Sequence, residues 1–282
     1  MREGPAPDLV ERLRQLERQA RPLEPGASRR RRLRDAVIAS SERFLRKIET
    51  LKGFDDVEHR GIGLLDAPIS EHGIPLEAAI ELIERDVVAP GASTATGRHL
   101  AYIPGGGIYH AALGDYLAAI SNKYSGIFFT GPGPVRMENM LIRWVADLVG
   151  YPAGAGGNIA SGGSIANLAA IAAARHAHGL RAADYPSAVV YLTTQAHHCI
   201  EKALRIAGMG ESPLHRVPMD ARYRMRPEAL ADAIAADRAR GLRPWLVVAS
   251  AGTTDTGAVD PLDAIATVAQ RERCWFHVDA AY

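Results

Sequence analysis

From residue 150 onward, short runs of strand-forming residues alternate with helix-length segments, and this alternation restricts the possible folds more than any other feature. The strand-like runs are 188–193, 214–218, 245–250 and 274–278. The helical patterns between them are 196–207, 227–240 and 261–271. Strands that alternate with helices of about ten or more residues form βαβ units around a mainly parallel sheet. Because such crossovers are right-handed, we predict an α/β fold with helices on both faces of the sheet.

The preceding part of the chain divides into a helical segment and a loop-rich bridge. Apolar residues recur at helical spacing within 8–21, 28–51 and 75–88, whereas glycine and proline interrupt the chain after residue 89. The predicted parts are a helical segment over 1–90, a bridge over 91–124 and an α/β domain over 125–282. A buried parallel strand normally leads into a crossover, so we expect the C-terminal part of this domain to be missing.

Composition excludes several classes of protein. The 282 residues are 47% apolar and 23% charged, which is typical of a globular chain rather than a disordered one. A net charge of +1 gives no field that would favour nucleic acid or an anionic membrane. No apolar run approaches the roughly 20 residues that span a bilayer, and two cysteines cannot form a disulfide framework. We therefore expect a cytoplasmic protein with no nucleic-acid or membrane partner.

The glycine-rich motif Ser161-Gly-Gly-Ser164 has the features of an anion-binding turn. A short strand is predicted to end in this motif, and a helix is predicted to open at once with Ile165. Glycines let the backbone approach an anion, and the N–H groups and dipole of a helix N-terminus favour phosphate. The same residues would equally form an ordinary helix start with a tight turn. The motif is neither a P-loop nor a dinucleotide-binding sequence.

Two histidines lie where a predicted strand joins its helix, in Thr194-Gln-Ala-His-His-Cys-Ile-Glu-Lys202. Ligands of open α/β sheets bind at this edge, and His197 is expected to face the glycine-rich turn. A metal site is disfavoured, because neighbouring helical positions point in different directions and no second ligand cluster has metal-site spacing. We therefore predict no metal.

Two later strands add polar side chains to the same edge of the sheet. Thr253 and Thr254 follow the strand predicted over 245–250, and Asp279 follows the strand predicted over 274–278. Asp260 is expected to cap the helix that comes next, rather than to act as a catalytic acid. A poorly solvated carboxylate such as Asp279 needs a cationic or hydrogen-bonding partner. A phosphorylated cofactor with a protonated ring nitrogen would account for all these sites together.

Four motifs, in this order, resemble those of the group II amino-acid decarboxylases, which are pyridoxal-phosphate (PLP) enzymes of fold type I and include aromatic amino-acid and glutamate decarboxylases. They are Ser-Gly-Gly-Ser-x-Ala-Asn, Gln-Ala-His, Gly-Thr-Thr and His-Val-Asp-Ala-Ala-Tyr. The resemblance runs from about residue 68 to 282 and includes Tyr102-Ile-Pro-Gly-Gly-Gly107 and Gly133-Pro-Val-Arg-Met-Glu-Asn139. It implies the large domain of the aspartate aminotransferase-like fold and a homodimer.

The resemblance assigns roles to residues that would hold pyridoxal 5'-phosphate. It implies that Gly163 and Ser164 hold the phosphate. His197 would stack on the pyridine ring and assist protonation at the substrate carbon, and Thr254 would lie near the ring. These residues follow the family motifs position by position.

Further roles follow from the same resemblance. Asp279 would pair with the pyridinium nitrogen, and Ala281 would pack beneath the ring. An aspartate at that position favours the protonated ring, which is the electron sink in decarboxylation. Tyr102, Pro104 and Gly105 match the loop that lines the substrate pocket.

The chain departs from the family pattern at three places. Ile165 replaces an acidic residue in Ser-x-Ala-Asn, and Thr96-Gly97 replaces a His-Pro pair ahead of the pocket loop. Because of these two changes, the resemblance does not identify the substrate. Family members also carry a Schiff-base lysine after the last motif, and no residue follows Tyr282. None of the lysines present has that position; they are Lys47, Lys52, Lys123 and Lys202.

The resemblance predicts a PLP-dependent carboxy-lyase that acts on an amino acid, whereas these 282 residues alone are expected to be inactive without the lysine. Two alternatives remain open at this point. One is another fold type I chemistry, that of an aminotransferase or an aldolase-type lyase. The other is a non-catalytic fragment that pairs with a complete subunit.

Overall fold

A computed structural model describes residues 7–66, 69, 71–103 and 105–282. The chain separates into two compact units, Met1–Leu113 and Gly114–Tyr282. The division into a helical segment, a bridge and an α/β domain stays a prediction.

The first unit is mainly helical. Its helices are α1 (Pro7–Ala20), α2 (Ala27–Lys47) and α3 (Leu76–Ile83), which continues into a π-helical turn, Glu84–Val88. A two-residue antiparallel ladder pairs β1 (Phe54–Asp55) with β2 (Gly91–Ala92). The boundary between the units falls within α4 (Tyr109–Ser121).

The second unit alternates helices and strands as the sequence predicts. Two helices come first, α5 (Pro132–Leu148) and α6 (Gly163–Ala177). The alternating part then runs through β3 (Ala188–Leu192), α7 (Cys199–Ile206), β4 (Leu214–Arg216), α8 (Pro227–Ala239), β5 (Arg243–Ser250), α9 (Leu262–Arg271) and β6 (Trp275–Asp279). The four strands form one parallel sheet in the order β4-β3-β5-β6.

The sheet is buried on both faces, which explains why β3 and β5 read as almost continuous apolar runs. Alternate residues of a strand point to opposite faces. Val190 and Leu192 accordingly pack with residues of α6 and α7, whereas Val189 and Tyr191 pack with residues of α8 and α9. The prediction of a parallel sheet with helices on both faces is therefore confirmed.

The connections of the sheet create a crevice at its carboxyl edge. From β3 the chain passes through α7 to β4 on one side, and from β5 it passes through α9 to β6 on the other. Since α7 and α9 cover opposite faces, the loops after β3 and β5 diverge at a topological switch point. Ligands of open α/β sheets bind at such a point.

One predicted strand is wrong. The structure has no strand between residue 151 and the motif Ser161-Gly-Gly-Ser164. The backbone N–H of Ile159 instead donates to Oε1 of Glu138 on α5 at 3.1 Å. A side-chain acceptor satisfies this donor, so no neighbouring strand is required there.

Candidate active site at the carboxyl edge of the sheet

The glycine-rich turn forms the start of α6. Gly162 precedes the helix with φ +153°, a backbone conformation that residues with a side chain rarely adopt. Gly163 and Ser164 are the first two helical residues, and Ser164 is exposed. The first N–H groups of a helix have no intrahelical acceptor, and the helix dipole adds positive potential there. The predicted anion-binding turn therefore has the required backbone form.

The same turn lies against the segment that follows β6. A Cβ added to Gly163 would lie 2.8 Å from Cβ of Ala281. Because Ala281 is two residues beyond Asp279, the glycine-rich motif and the carboxylate motif meet in the structure, as expected from the sequence.

Asn167 connects the turn to two other segments of the edge. It lies one turn into α6 and is 4% exposed. Its Oδ1 contacts Nε2 of His277 at 2.6 Å, and its Nδ2 donates to Sγ of Cys199 at 3.4 Å. Because Oδ1 of an amide can only accept, the imidazole proton of His277 lies on Nε2.

Burial shapes the protonation of both partners of Asn167. Burial lowers the pKa of His277, and the nearby charge of Asp279 only partly opposes this effect. Burial raises the pKa of the Cys199 thiol, and Asp279 raises it further. At neutral pH both side chains are therefore uncharged, which suits a buried hydrogen-bonded contact.

His197 lies in the loop between β3 and α7 and is half-buried. Its Nδ1 accepts a hydrogen bond from the backbone N–H of Cys199 at 3.3 Å. In the neutral ring the proton consequently lies on Nε2. The ring also contacts that of His198, with centroids 4.0 Å apart. Cys199 thus ties the loop of His197 to Asn167 on α6.

Asp279 is the last residue of β6 and is half-buried. Its Oδ1 accepts from the backbone N–H of Ala281 at 3.2 Å, and its main-chain oxygen accepts from the N–H of Ala251 at 2.8 Å. Within 7–66, 69, 71–103 and 105–282, its carboxylate forms no salt bridge. A partly buried anion is thus held in a fixed place beside the glycine-rich turn, with acceptor capacity to spare.

The two threonines after β5 differ from each other. Thr253 is buried, and its Oγ1 lies 2.7 Å from Oγ1 of Thr256. The hydroxyl of Thr256 also approaches Oε1 of Gln195, in the loop after β3, at 3.5 Å. Thr254, the residue that the resemblance assigns to the cofactor, is exposed. These contacts join the two loops across the switch-point crevice.

The predicted role of Asp260 is wrong. The N-cap of α9 is Pro261, and no side chain caps this helix. Asp260 is buried, and its carboxylate accepts from the N–H of Met225 at 2.7 Å and from the N–H of Ser250 at 2.8 Å. A buried carboxylate needs such donors, so Asp260 fixes the end of β5 instead of capping a helix.

The predicted pocket loop belongs to the first unit. Tyr102 has φ +65°, which is uncommon for a residue with a side chain, and its ring stacks on that of His99 with centroids 6.3 Å apart. Gly105 is exposed, with open space where a Cβ would be. Pro104 lies outside the described residues.

The described part of the chain lacks two features, a membrane-spanning helix and a cluster of metal ligands. Among those residues, no helix is both long enough and apolar enough to cross a membrane. The same residues contain no group of three or more His, Cys, Asp or Glu side chains placed to hold a metal ion.

Sequence reasoning assigned no role to Asn167, Cys199, Gln195 or Thr256. A signal was present for Asn167, because it lies four residues after Gly163 on the same face of a helix otherwise rich in alanine and isoleucine. A polar side chain on a buried helix face usually has a polar partner. The contacts of Gln195 and Thr256 depend on how two distant loops fold, so local sequence gives no comparable signal.

Comparison with known proteins gives a consistent result. The model of the pyridoxal-dependent decarboxylase conserved domain matches residues 59–282. An aromatic-L-amino-acid decarboxylase of Bacillus atrophaeus is 33% identical over 218 residues, which is 77% of this chain and 45% of the relative. A cysteine sulfinic acid decarboxylase of Mus musculus is 35% identical over 226 residues, or 78% of this chain and 45% of the relative.

A solved structure is similar over most of the described fold. The crystal structure of TDC from Oryza sativa with PLP and tryptamine matches with a TM-score of 0.83 and 28% identity. The match covers 91% of this chain and 56% of that one. The chain therefore spans about half the length of the proteins it resembles.

Proposed function

Because the chain belongs to the pyridoxal-dependent decarboxylase family, we propose that the whole protein that contains it is a PLP-dependent amino-acid decarboxylase. The cofactor of this family is PLP. The observation that carries the proposal is the meeting of an anion-binding turn at Gly163 with the segment of Asp279.

The residues at the edge fit the phosphate of the cofactor. The backbone N–H groups of Gly163 and Ser164 stand at the start of a 15-residue helix, where a phosphate is favoured by both hydrogen bonding and the helix dipole. Ser164 adds an exposed hydroxyl donor. We assign phosphate binding to these two residues.

The same edge fits the pyridine ring. Asp279 supplies a half-buried carboxylate that forms no salt bridge with the described residues. A carboxylate next to the ring nitrogen favours the protonated form of the ring. When bound, PLP supplies an electron sink for the electron pair left on the substrate carbon as CO2 departs. We assign ring binding to Asp279, His197, Thr254 and Ala281.

His197 is the catalytic residue that we propose within this chain. Its Nδ1 is occupied by the N–H of Cys199, so its Nε2 carries the proton of the neutral ring. An imidazole whose two nitrogens have fixed donor and acceptor roles is suited to assist proton transfer. We propose that the Nε2–H of His197 assists protonation of the substrate carbon, with solvent replacing the proton on Nε2, so that the imidazole keeps its proton count.

The substrate is proposed only as an amino acid. We assign Tyr102, Pro104 and Gly105 to the pocket on the basis of the family motif. Ile165 stands in the first turn of α6, at a position where the family resemblance implies an acidic residue. An isoleucine at this position offers a substrate neither a negative charge nor a side-chain hydrogen-bond acceptor.

The covalent attachment of the cofactor is proposed to lie outside residues 1–282. Lys202 is the lysine nearest to His197 in sequence, and it is exposed on α7. We therefore expect no PLP turnover from these residues alone. Borohydride reduction with PLP, followed by mass spectrometry, should find no specific pyridoxyl-lysine in them. A stoichiometric adduct on Lys202 would overturn this assignment.

We further propose that the whole protein is a cytoplasmic homodimer, in which residues 1–90 serve as an arm or dimerisation segment. Light scattering of the whole protein after gel filtration should give twice the mass of one chain. A monomer that retains full activity would contradict the dimer proposal.

Product analysis tests the proposed reaction. The purified whole protein is incubated with PLP and a panel of L-amino acids, and its products are separated. CO2 together with the corresponding amine supports a decarboxylase. A keto acid without CO2, or cleavage to an aldehyde, would assign a different PLP chemistry, and a protein that binds no PLP would refute the proposal altogether.

A further inference from the structure

The side chain of Asn167 joins three segments that the sequence presents separately. It stands on α6, one turn after the phosphate-binding residue Gly163. It contacts His277 on β6 and Cys199 at the start of α7 through the two ends of its carboxamide. The strand of Asp279, the loop of His197 and the glycine-rich turn are thus tied to one buried side chain.

The contacts of Asn167 limit how far the glycine-rich turn at the start of α6 can move relative to β6. Gly163 and Asn167 are four residues apart, so they lie on one face of α6. Gly163 meets Ala281, and Asn167 meets His277, so α6 is held against β6 and the residues after it at two points. His277 and Asp279 lie on the same face of β6, because they are two residues apart.

Few other side chains would make both contacts. Asn167 is 4% exposed, so water has little access to its carboxamide. Asn167 accepts from Nε2–H of His277 and donates to Sγ of Cys199, so both polar ends are used. An apolar replacement would leave the partly buried imidazole N–H of His277 without its acceptor, which is costly.

We propose that Asn167 is a positioning residue that holds the phosphate-binding turn in place relative to Asp279 and thereby sets the affinity for PLP. The inference rests on the proposed function. Asn167 acts through His277 and Cys199 rather than through contact with substrate. Its role is to keep two binding groups, from α6 and β6, at a fixed separation.

A second buried hub provides a matched control. Asp237 on α8 is 2% exposed, and it receives hydrogen bonds from Tyr191 on β3 at 3.0 Å and from Nδ1 of His215 on β4 at 2.9 Å. It lies on the face of the sheet covered by α8 and α9, away from the glycine-rich turn. Loss of Asp237 should therefore affect stability without moving the turn.

The test is equilibrium binding of PLP to the whole apoprotein, titrated by absorbance well below the unfolding temperature of each variant. Asn167→Ala should raise the dissociation constant of PLP about tenfold, the order expected when a buried hydrogen-bond partner is lost. Asp237→Ala should change the dissociation constant of PLP less than about twofold, even if it lowers the thermal unfolding midpoint as much as Asn167→Ala does.

His277→Ala provides a second variant should Asn167→Ala not fold, and it should raise the dissociation constant similarly. The double variant should bind PLP no worse than the weaker-binding single variant, because both changes remove the same contact, the hydrogen bond between Asn167 and His277. A folded Asn167→Ala or His277→Ala protein with wild-type affinity would overturn the inference, as would fully additive effects. If the wild type binds no PLP, the proposed function itself fails.

Discussion

Gly163 and Ala281 approach so closely that a Cβ on Gly163 would lie 2.8 Å from the Cβ of Ala281. Real Cβ atoms essentially never come that near one another. The contact joins the start of α6 to the segment after β6, where the proposed phosphate-binding and ring-binding residues meet.

The first prediction concerns this contact. Gly163→Ala should destabilise the whole protein by about 1–3 kcal/mol through overpacking and should weaken PLP binding. Thermal unfolding and PLP titration measure the two effects. Ala281→Gly in the same chain should restore the stability, since it removes the opposing methyl group.

Gly114→Ala is the matched control, because Gly114 lies within α4 with open space where a Cβ would be. It should be neutral or slightly stabilising, as alanine favours helix. Equal losses from both glycine variants would show that the close approach to Ala281 is not the cause.

The second prediction tests the buried role of Asp260. Asp260→Asn should lower the free energy of unfolding by about 1–3 kcal/mol, because an amide nitrogen would face one of the two N–H donors that the carboxylate now accepts. Urea unfolding measures the change. Asp263→Asn, at an exposed acid in the first turn of α9, should stay within about 0.5 kcal/mol of wild type. If only Asp263→Asn were destabilising, the assignment would be wrong.

The third prediction is a fall in stability as the pH is lowered from about 7 to 5. Burial lowers the pKa of His178 and of His277 in the folded protein. Histidine in the unfolded chain, with a pKa near 6.5, takes up its proton first, so acid favours unfolding. The stabilisation is therefore complete above about pH 6.5 and is lost as the pH falls towards the folded pKa values.

His178→Phe isolates one of these groups. The ring of His178 packs edge-on against Trp245 and Trp275, with centroids 6.2 Å away in each case, and phenylalanine can keep those contacts. Urea unfolding midpoints at pH 5, 6 and 7 should depend less on pH in this variant than in the wild type. An unchanged pH dependence would exclude His178 as a contributor.

The fold was largely predictable from local patterns. The strands β3, β5 and β6 lie close to their predicted ranges because they are short apolar runs bounded by polar residues, as expected of strands in a parallel sheet. The strand predicted before Ser161 was wrong because strand formation needs a neighbour, and the N–H of Ile159 is satisfied by Glu138 instead.

The site was predictable only in its motifs. Gly163 and Asp279 were expected to serve one ligand, and the structure places their segments in contact. The roles of Asn167 and Asp260 depend on partners 32 to 110 and 10 to 35 residues away, respectively. No local pattern identifies such partners, so Asp260 was wrongly assigned to a helix cap.

The most direct test of the account is the release of CO2 from L-amino acids by the whole protein, measured with and without PLP for the wild type and for Asp279→Ala. We predict CO2 and amine in equal amounts from at least one amino acid, and only when PLP is present. We also predict a rate loss on the order of a hundredfold in the variant, as for removal of one preorganised electrostatic partner. No CO2 from a PLP-loaded wild type, or an undiminished rate in Asp279→Ala, would contradict the account.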